Sequence, residues 1–230
     1  MEIAPGLHWV ERIRDTKVYV LIEGERLRLV DAATPGRARA VWRCLADLGY
    51  PPQAVEEIWL THGDVDHIGS VAALKAASGA RVTAHRLDAP LVEGRADREM
   101  RVRRLQPPVN WLVRRVIRYR PVTVDRPVEE GDDLGGWRVV HTPGHTAGSV
   151  SFYHPARRVV IVGDALTHKR GRLGLPSLLF TPDRDQAVAS IRKIAALDFD
   201  ICCFGHGPPL TEHARQRVRA FAETLKFEVS

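Results

Sequence analysis

The sequence predicts an α+β protein in which two mixed strand-and-helix halves are joined by an inserted helical segment at residues 86–125. Short β-rich runs alternate with helical patterns before residue 86 and again after residue 125. The segment between them breaks this alternation with an arginine cluster and the pair Pro107-Pro108. At 230 residues, a single domain over 1–230 is the expected organisation.

The first half is predicted to begin with a β-hairpin and to continue with alternating helices and strands. Gly24 lies in the turn between the first two β-rich runs. Thr34 and Pro35 predict a helix start, because threonine is a good N-cap and proline is tolerated at the first helical position. Gly49 and Gly79 predict the ends of two helices. Short strands are predicted at 18–22, 27–30, 58–61 and 81–84.

The remaining elements are predicted from the same periodicities. Helices are predicted to start at Thr181-Pro182-Asp183 and, with Thr211 as N-cap, near the C-terminus. Strands are predicted at 137–141, 150–153, 158–162 and 199–204. Within the insert, apolar residues at helical spacing predict an amphipathic helix with an arginine-rich opposite face, and these residues are Val109, Leu112, Val113, Val116 and Ile117.

The composition excludes several classes of protein. A hydrophobic fraction of 44% and a charged fraction of 27% are ordinary for a globular protein and exclude a disordered or fibrous chain. No apolar run approaches the ~18 residues that a membrane span requires. The first residues show no signal-peptide core, and 3 cysteines cannot form a disulfide framework. A cytoplasmic protein is therefore expected.

The net charge of +6 comes from one segment of the chain. Nine arginines against two acids between Arg95 and Arg120 give that segment a charge of +7, which leaves −1 for the remainder. The segment is interpreted as a solvated helical face, with a lid over an active site as the alternative. Contact with nucleic acid or with a membrane surface is the least favoured interpretation, and nucleic-acid binding is not expected because few stacking aromatic residues accompany these arginines.

Seven side chains of the metal-ligand type follow β-rich runs. Four of them lie within six residues, directly after the strand predicted at 58–61, and these are His62, Asp64, Asp66 and His67. The other three each follow a later predicted strand and are His145, Asp164 and His206. Imidazole and carboxylate ligands together suit Zn²⁺, Fe or Mn²⁺. The pattern therefore predicts a metal site.

The same residues resemble the hallmark of the metallo-β-lactamase superfamily. That family has His-x-His-x-Asp-His, a histidine in Thr-Pro-Gly-His-Thr, an aspartate in Gly-Asp and a late histidine, and the resemblance covers nearly the whole chain. It implies a four-layer αββα sandwich with a dinuclear metal site at one edge. By position, it implies a first metal on His62, Asp64 and His145, a second metal on Asp66, His67 and His206, and Asp164 as the bridge.

Asp64 departs from the family pattern, because most members have a second histidine at this position. The carboxylate replaces a neutral nitrogen ligand with an anionic oxygen ligand, and oxygen ligands favour harder metals. Two divalent ions are expected, with zinc as the leading choice and iron or manganese as alternatives. Since an aspartate reaches less far than a histidine, the first of the two sites is expected to be the weaker one, with an empty first site as the alternative.

The resemblance further implies hydrolysis of a small-molecule carbonyl substrate (a thioester, lactone or related ester or amide) by a metal-bound hydroxide. Asp66 is the candidate to orient that hydroxide and to move a proton to the leaving group. His168 is expected either to contact substrate at the mouth of the site or to be an exposed loop histidine. A phosphodiesterase or nuclease, iron-dependent redox chemistry and a metal-binding protein without activity stay open as alternatives, as does a homodimer.

Overall fold

The computed structural model describes residues 1–102, 105, 107–108, 111 and 119–227. The strands of this part of the chain are β1 (Glu2–Ala4), β2 (Leu7–Trp9), β3 (Tyr19–Glu23), β4 (Arg26–Val30), β5 (Val55–Trp59), β6 (Arg81–His85), β7 (Arg126–Val128), β8 (Arg138–His141), β9 (Val150–His154), β10 (Val159–Ile161), β11 (Thr167–Lys169), β12 (Arg172–Gly174) and β13 (Ile201–Cys203). The amphipathic helix that the sequence predicts on Val109, Leu112, Val113, Val116 and Ile117 lies outside the described residues.

The helices are fewer and mostly short. Among the described residues they are α1 (Ala38–Asp47), α2 (Val65–Ile68), α3 (Val71–Ser78), α4 (Ala89–Val92), α5 (Arg184–Ala196) and α6 (Ala214–Thr224), with 3-10 turns at Pro52–Ala54 and Leu178–Phe180. None of these helices combines the length and the apolar character that crossing a membrane would need.

Two sheets form the centre of the molecule. Strands β1 to β7 form a seven-stranded sheet in chain order, in which β1 to β4 are antiparallel neighbours and β4 to β7 are parallel. The other sheet has four strands in the order β13-β10-β9-β8. In this sheet β8, β10 and β13 run in one direction and β9 runs against them. The mixture of sheets and helices confirms the predicted α+β class.

Three apolar clusters separate four layers. The first lies between the seven-stranded sheet and helices α1 and α3, and it includes Val20, Leu29, Val41, Leu45, Ile58, Val71 and Leu74. The second fills the space between the two sheets around Trp59, Trp137 and Phe152. The third lies between the four-stranded sheet and helices α5 and α6, and it includes Val160, Ile191, Ile194 and Val218. The order helix, sheet, sheet, helix confirms the αββα sandwich.

Strand alternation explains how one sheet supplies two cores. In β3, Val20 belongs to the cluster beneath the helices, whereas Tyr19 and Leu21 belong to the cluster between the sheets. In β13, Cys202 and Cys203 divide in the same way, and both are fully buried. Successive side chains of a strand point to opposite faces, so a short apolar run contributes side chains to the clusters on both sides of its sheet. Both cysteines are therefore core residues.

Two predicted helix starts are wrong. Helix α1 begins at Ala38 and not at Thr34-Pro35, because the Thr34 hydroxyl donates to the Asp15 carboxylate instead of capping a helix. Helix α6 begins at Ala214, and the residue before it is His213 in a left-handed conformation (φ 52°), not Thr211. The start at 181–183 is confirmed, since the Asp183 carboxylate accepts from the Gln186 N–H at 2.9 Å.

Candidate metal centre

Loops that follow the carboxyl ends of strands from both sheets meet at one edge of the sandwich. Parallel strands place their carboxyl ends at the same edge, so the loops that follow them become neighbours. The seven side chains singled out from the sequence all lie at this edge: His62, Asp64, Asp66 and His67 after β5, His145 after β8, Asp164 after β10 and His206 after β13. The structure thus brings together residues that lie as far apart in sequence as His62 and His206.

The turn after β5 supplies four of these side chains within six residues. Asp64 has an extended backbone at the N-terminal boundary of α2, and the single turn of that helix then carries Asp66 and His67. His62 and His67 are fully buried, with ring centroids 4.1 Å apart, whereas about one third of the Asp66 side chain is exposed. Asp66 is therefore the acidic group of this turn that is most open to solvent.

Among the described residues, three groups of ligand-type atoms could hold an ion. The first lies around Asp64, the second lies around Asp66, and the third joins His62 and His67 to Asp164. In the first group, Asp64 Oδ2 lies 3.0 Å from His145 Nε2 and 3.8 Å from His62 Nε2. In the second group, Asp66 Oδ2 lies 3.3 Å from His206 Nε2 and 3.8 Å from His67 Nε2. Within each group the ligand atoms are all within 4.8 Å of one another, which is close enough to hold one ion.

Asp164 lies between the first and second groups. Its Oδ1 is 3.4 Å from His67 Nε2, and its Oδ2 is 3.2 Å from His206 Nε2, both in the second group. The same Oδ2 is 3.7 Å from His145 Nε2 of the first group. A carboxylate with oxygens near both sets of histidines has the position that a bridging ligand requires.

Each of the four imidazoles is held at Nδ1 by a protein oxygen. The partners are Thr61 Oγ1 for His62 at 3.0 Å, Asp31 Oδ2 for His67 at 2.8 Å, Thr181 Oγ1 for His145 at 3.4 Å and the Asp15 carbonyl for His206 at 2.7 Å. A hydrogen bond at Nδ1 fixes the ring orientation and leaves Nε2 as the free nitrogen. All four Nε2 atoms consequently face the carboxylates.

Several of these atoms are buried without a hydrogen bond. Within the described part of the chain, nothing forms a hydrogen bond of acceptable geometry with Nε2 of His62, His67 or His145, or with Asp164 Oδ1. Buried polar atoms almost always have a partner, and an unpartnered one costs about 1–3 kcal/mol. All four atoms are nitrogen or oxygen atoms of the kind that bind metals, and they lie at one place. A divalent cation therefore fits as their missing partner.

The charges of the metal-free cluster are strongly coupled. Burial, reinforced by the nearby charge of His67, holds the pKa of His62 well below its ordinary value. Burial would also lower the pKa of His67, but the carboxylates of Asp31 and Asp164 outweigh it and raise that pKa well above normal. For His206, hydrogen bonds to Asp164 and Asp66 outweigh burial and raise the pKa to about 9. Without metal, protons therefore take the place of cations beside the acids.

Gly205 leaves room for this arrangement. A Cβ atom at this position would lie 2.1 Å from Asp164 Oδ1 and 2.7 Å from His67 Cε1. Both distances are far below van der Waals contact, so any larger residue would displace a side chain of the cluster. The glycine that precedes His206 is thus required by the close approach of two ligand-type groups.

Three residues that contact the candidate site are not among those predicted from the sequence. Asp31 is buried beneath His67, and it follows β4 in the same way that Asp164 follows β10, so the rule that found Asp164 would also find Asp31. Asp88 is buried and accepts hydrogen bonds from the loops after β5 and β8, but no local pattern marks it. Arg98 forms an ion pair with Asp64.

Two interpretations of single residues need correction. Arg98 belongs to the charged segment interpreted as a solvated face, yet only 15% of its side chain is exposed, because Asp64 and three backbone carbonyls bind it. His168 is not an exposed loop histidine. It lies buried in β11, where Nδ1 contacts the Pro208 carbonyl at 2.7 Å and the ring packs against Phe204. A contact between His168 and substrate stays a prediction.

Comparison with known proteins identifies relatives along most of the chain. The sequence model of the metallo-beta-lactamase superfamily matches residues 13–206. A probable metallo-hydrolase, YflN of Bacillus subtilis strain 168, is 28% identical over 238 residues, which cover 91% of this chain and 87% of that protein. A hydroxyacylglutathione hydrolase of Ruegeria pomeroyi is 32% identical over 163 residues, which cover 66% of this chain and 49% of the enzyme. The match thus spans about half the length of that enzyme.

Solved structures show the same fold. TTHA1623 in a di-iron-bound form is 31% identical and superimposes with a TM-score of 0.66 over 90% of this chain and 94% of that one. BJP-1, a subclass B3 metallo-beta-lactamase of Bradyrhizobium japonicum, superimposes with a TM-score of 0.75 over 98% of this chain and 89% of its own, at 23% identity. At that identity the second comparison concerns the fold alone.

Proposed function

Because the chain belongs to the metallo-β-lactamase superfamily, we propose that it is a metal-dependent hydrolase of a small-molecule carbonyl substrate, with thioesters as the first class to test. The observation that carries this proposal is a set of four buried nitrogen and oxygen atoms that converge at one edge of the sandwich and form no hydrogen bond of acceptable geometry with the described residues. A purely structural cluster would satisfy such atoms internally.

The proposed centre holds two divalent ions. His62, Asp64 and His145 would bind the first ion, and Asp66, His67 and His206 would bind the second. Asp164 would bridge them, since its oxygens face histidines of both groups. Zinc suits the histidines, while the Asp64 carboxylate and the di-iron form of TTHA1623 favour iron as the alternative.

The proposed hydrolysis uses two aspartates, Asp66 and Asp164, that differ in their exposure to solvent. Divalent metals bound there would make water a nucleophile at neutral pH and polarise the substrate oxygen. Asp66 is the more exposed acid, so its carboxylate would face the substrate side, orient the attacking water and pass a proton to the leaving group. Asp164 is nine-tenths buried and would serve as a metal ligand.

Thioesters come first for two reasons. Hydroxyacylglutathione hydrolases, whose name describes a thioester substrate, are about 30% identical to this chain. A thiolate is also a good leaving group at neutral pH, so a single partly exposed acid such as Asp66 suffices to assist its departure. The chain spans only about half of those enzymes, so recognition of the non-reacting part of the substrate need not be shared.

Metal analysis and a substrate panel test the proposal together. The protein is purified without added metal and analysed for Zn, Fe and Mn, and it is then assayed on thioesters, lactones, simple esters, a β-lactam and a phosphodiester. Two ions per chain and thioester or lactone hydrolysis that a chelator abolishes would support it. Activity on the phosphodiester alone would favour a phosphodiesterase instead. Failure to bind any metal, even after reconstitution, would overturn the proposal.

A further inference from the structure

Arg98 contacts the first group of ligand-type atoms from the beginning of the inserted segment. Its Nε donates to Asp64 Oδ1. Its Nη2 donates to the carbonyls of His145 at 2.7 Å and Phe180 at 2.5 Å. The guanidinium therefore joins three loops, and its planar set of donors holds it in one orientation.

The two oxygens of Asp64 have different neighbours as a result. Oδ1 is occupied by Arg98, while Oδ2 faces His145 Nε2 at 3.0 Å. An aspartate can bind a cation through one oxygen or through both. With Arg98 in place, only Oδ2 is available on the side of the histidines.

Arg98 also cancels the negative charge of this ligand. The Arg98 guanidinium donates to Asp64 Oδ1, and only 15% of the Arg98 side chain and 13% of the Asp64 side chain are exposed. As a largely buried ion pair, the two side chains together carry no net charge. A cation at the first group would meet one oxygen of a neutral pair rather than a free carboxylate.

We propose that Arg98 is a positioning residue that restricts Asp64 to one metal-binding oxygen and thereby sets the metal preference of the first group towards Zn²⁺ and against harder cations such as Mn²⁺. The inference rests on the metal binding assumed in the proposed function. Bidentate carboxylates suit larger, harder ions with more ligands, whereas zinc is satisfied by four ligands in total. Arg98 thus counteracts the preference for harder cations that the Asp64 carboxylate gives to the first group.

The test compares the metal affinities of matched variants. Arg98→Met removes the charge and the hydrogen bonds, and Arg98→Gln removes the charge but keeps a donor. Arg98→Lys keeps the charge. Arg95→Met is the control, because Arg95 lies in the same segment, is exposed and pairs with Glu93 away from the cluster. Metal-free protein is titrated separately with Mn²⁺ and Zn²⁺, and circular dichroism confirms that each variant is folded.

Loss of Arg98 should tighten Mn²⁺ binding about tenfold, the scale on which partners of metal ligands act, and Zn²⁺ binding about threefold at most. Arg98→Lys should restore much of the wild-type ratio, and Arg95→Met should leave it unchanged. A merely structural arginine would give the opposite result, with both metals bound more weakly, and that outcome would overturn the inference. If Arg98→Met does not fold, the Mn²⁺ and Zn²⁺ affinities of Arg98→Gln are compared with those of the wild type instead.

The titration separates this inference from the proposed function. Metal binding with the expected ratios but no hydrolysis on the panel would leave the role of Arg98 standing and remove the proposed activity. Hydrolysis with unchanged metal ratios in the Arg98 variants would do the reverse. A wild-type protein that binds neither Mn²⁺ nor Zn²⁺ would overturn both.

Discussion

Asp31 and His67 are joined by a hydrogen bond of 2.8 Å between Oδ2 and Nδ1, and both residues are almost completely buried. Asp31 also accepts hydrogen bonds from the backbone N–H and the hydroxyl of Thr61, and that hydroxyl contacts His62 Nδ1 at 3.0 Å. One carboxylate therefore orients two imidazoles of the candidate centre, His67 directly and His62 through Thr61.

Replacing Asp31 by asparagine should weaken metal binding by about 10–100-fold, the range typical of residues that support ligands. Asparagine keeps the size of the side chain and tolerates the left-handed backbone at this position (φ 64°), so the fold should survive. It removes the charge that strengthens the bond to His67. Metal titration of the folded variant gives the result, and an affinity equal to that of the wild type would contradict the proposed role.

Replacing Asp66 by alanine should abolish hydrolysis while the fold is retained. The side chain is one third exposed and its ion pairs are with His67 and His206, so little packing is lost. Loss of general acid–base assistance alone lowers kcat by about 10²–10⁴-fold. Steady-state kinetics at saturating metal measure the loss, with Asp47→Asn, an exposed acid at the end of α1, as the control. Full activity of the alanine variant would exclude Asp66 from the mechanism.

Gly205→Ala should remove metal binding with only a modest effect on folding. The added methyl group would overlap Asp164 Oδ1, so the carboxylate must move away from the histidines. Gly79→Ala is the comparison, because it strains a left-handed backbone (φ 76°) at the end of α3 where the methyl group meets nothing. Metal content should fall in the first variant and stay normal in the second. Equal metal content in both would show that the close approach at Gly205 is not needed.

Asp88→Ala should destabilise the metal-free protein by about 3 kcal/mol, because it leaves buried donors without an acceptor. The lost bonds come from the N–H groups of Gly63 and Gly148 and from the Thr146 hydroxyl, at 2.7–2.8 Å. They join the loop after β5 to the loop after β8. Urea denaturation measures the free energy of unfolding. Asp88→Asn should lose less, and a loss below about 1 kcal/mol for alanine would contradict this bridging role.

Metal binding should release protons and tighten as the pH rises. The pKa of His206 in the metal-free protein is raised to about 9, so its ring holds a proton at pH 7.5. A metal requires Nε2 without a proton, and binding must expel it. The affinity should therefore increase between pH 7 and about 9 and then level off with respect to this group. Calorimetry in buffers of different ionisation enthalpy counts the protons, and a count of zero would contradict the prediction.

The sequence predicts the architecture well where periodicity and strand ends determine it. The sequence predicts that the seven ligand-type residues lie near one another, because they follow strands and parallel strands bring their carboxyl ends together. The predicted start of α5 at 181–183 contains its cap, because the Asp183 carboxylate accepts from the nearby Gln186 N–H. These are interactions between near neighbours or consequences of regular pairing.

Long-range partners account for what the sequence could not provide. Thr34 is a good N-cap by type, but Asp15 takes its hydroxyl, and nothing between the two residues indicates that they meet. Arg98 is one of nine arginines in its segment, and only the folded chain shows that it contacts Asp64. The role of Asp88 is equally hidden in the sequence, because its three hydrogen-bond donors come from loops that follow strands of two different sheets.

The division of the ligands between the two sheets has a consequence for how long the protein survives. The loop after β5 belongs to one sheet, while the loops carrying His145, Asp164 and His206 belong to the other. A cation held by both would fasten this edge of the sandwich, and a ligand that binds only the folded state stabilises it in proportion to the logarithm of its concentration. Metal supply would then govern the degradation rate of the protein as well as its activity. Chains without metal would open more often at this edge, and proteases would cleave them faster than metal-bound chains.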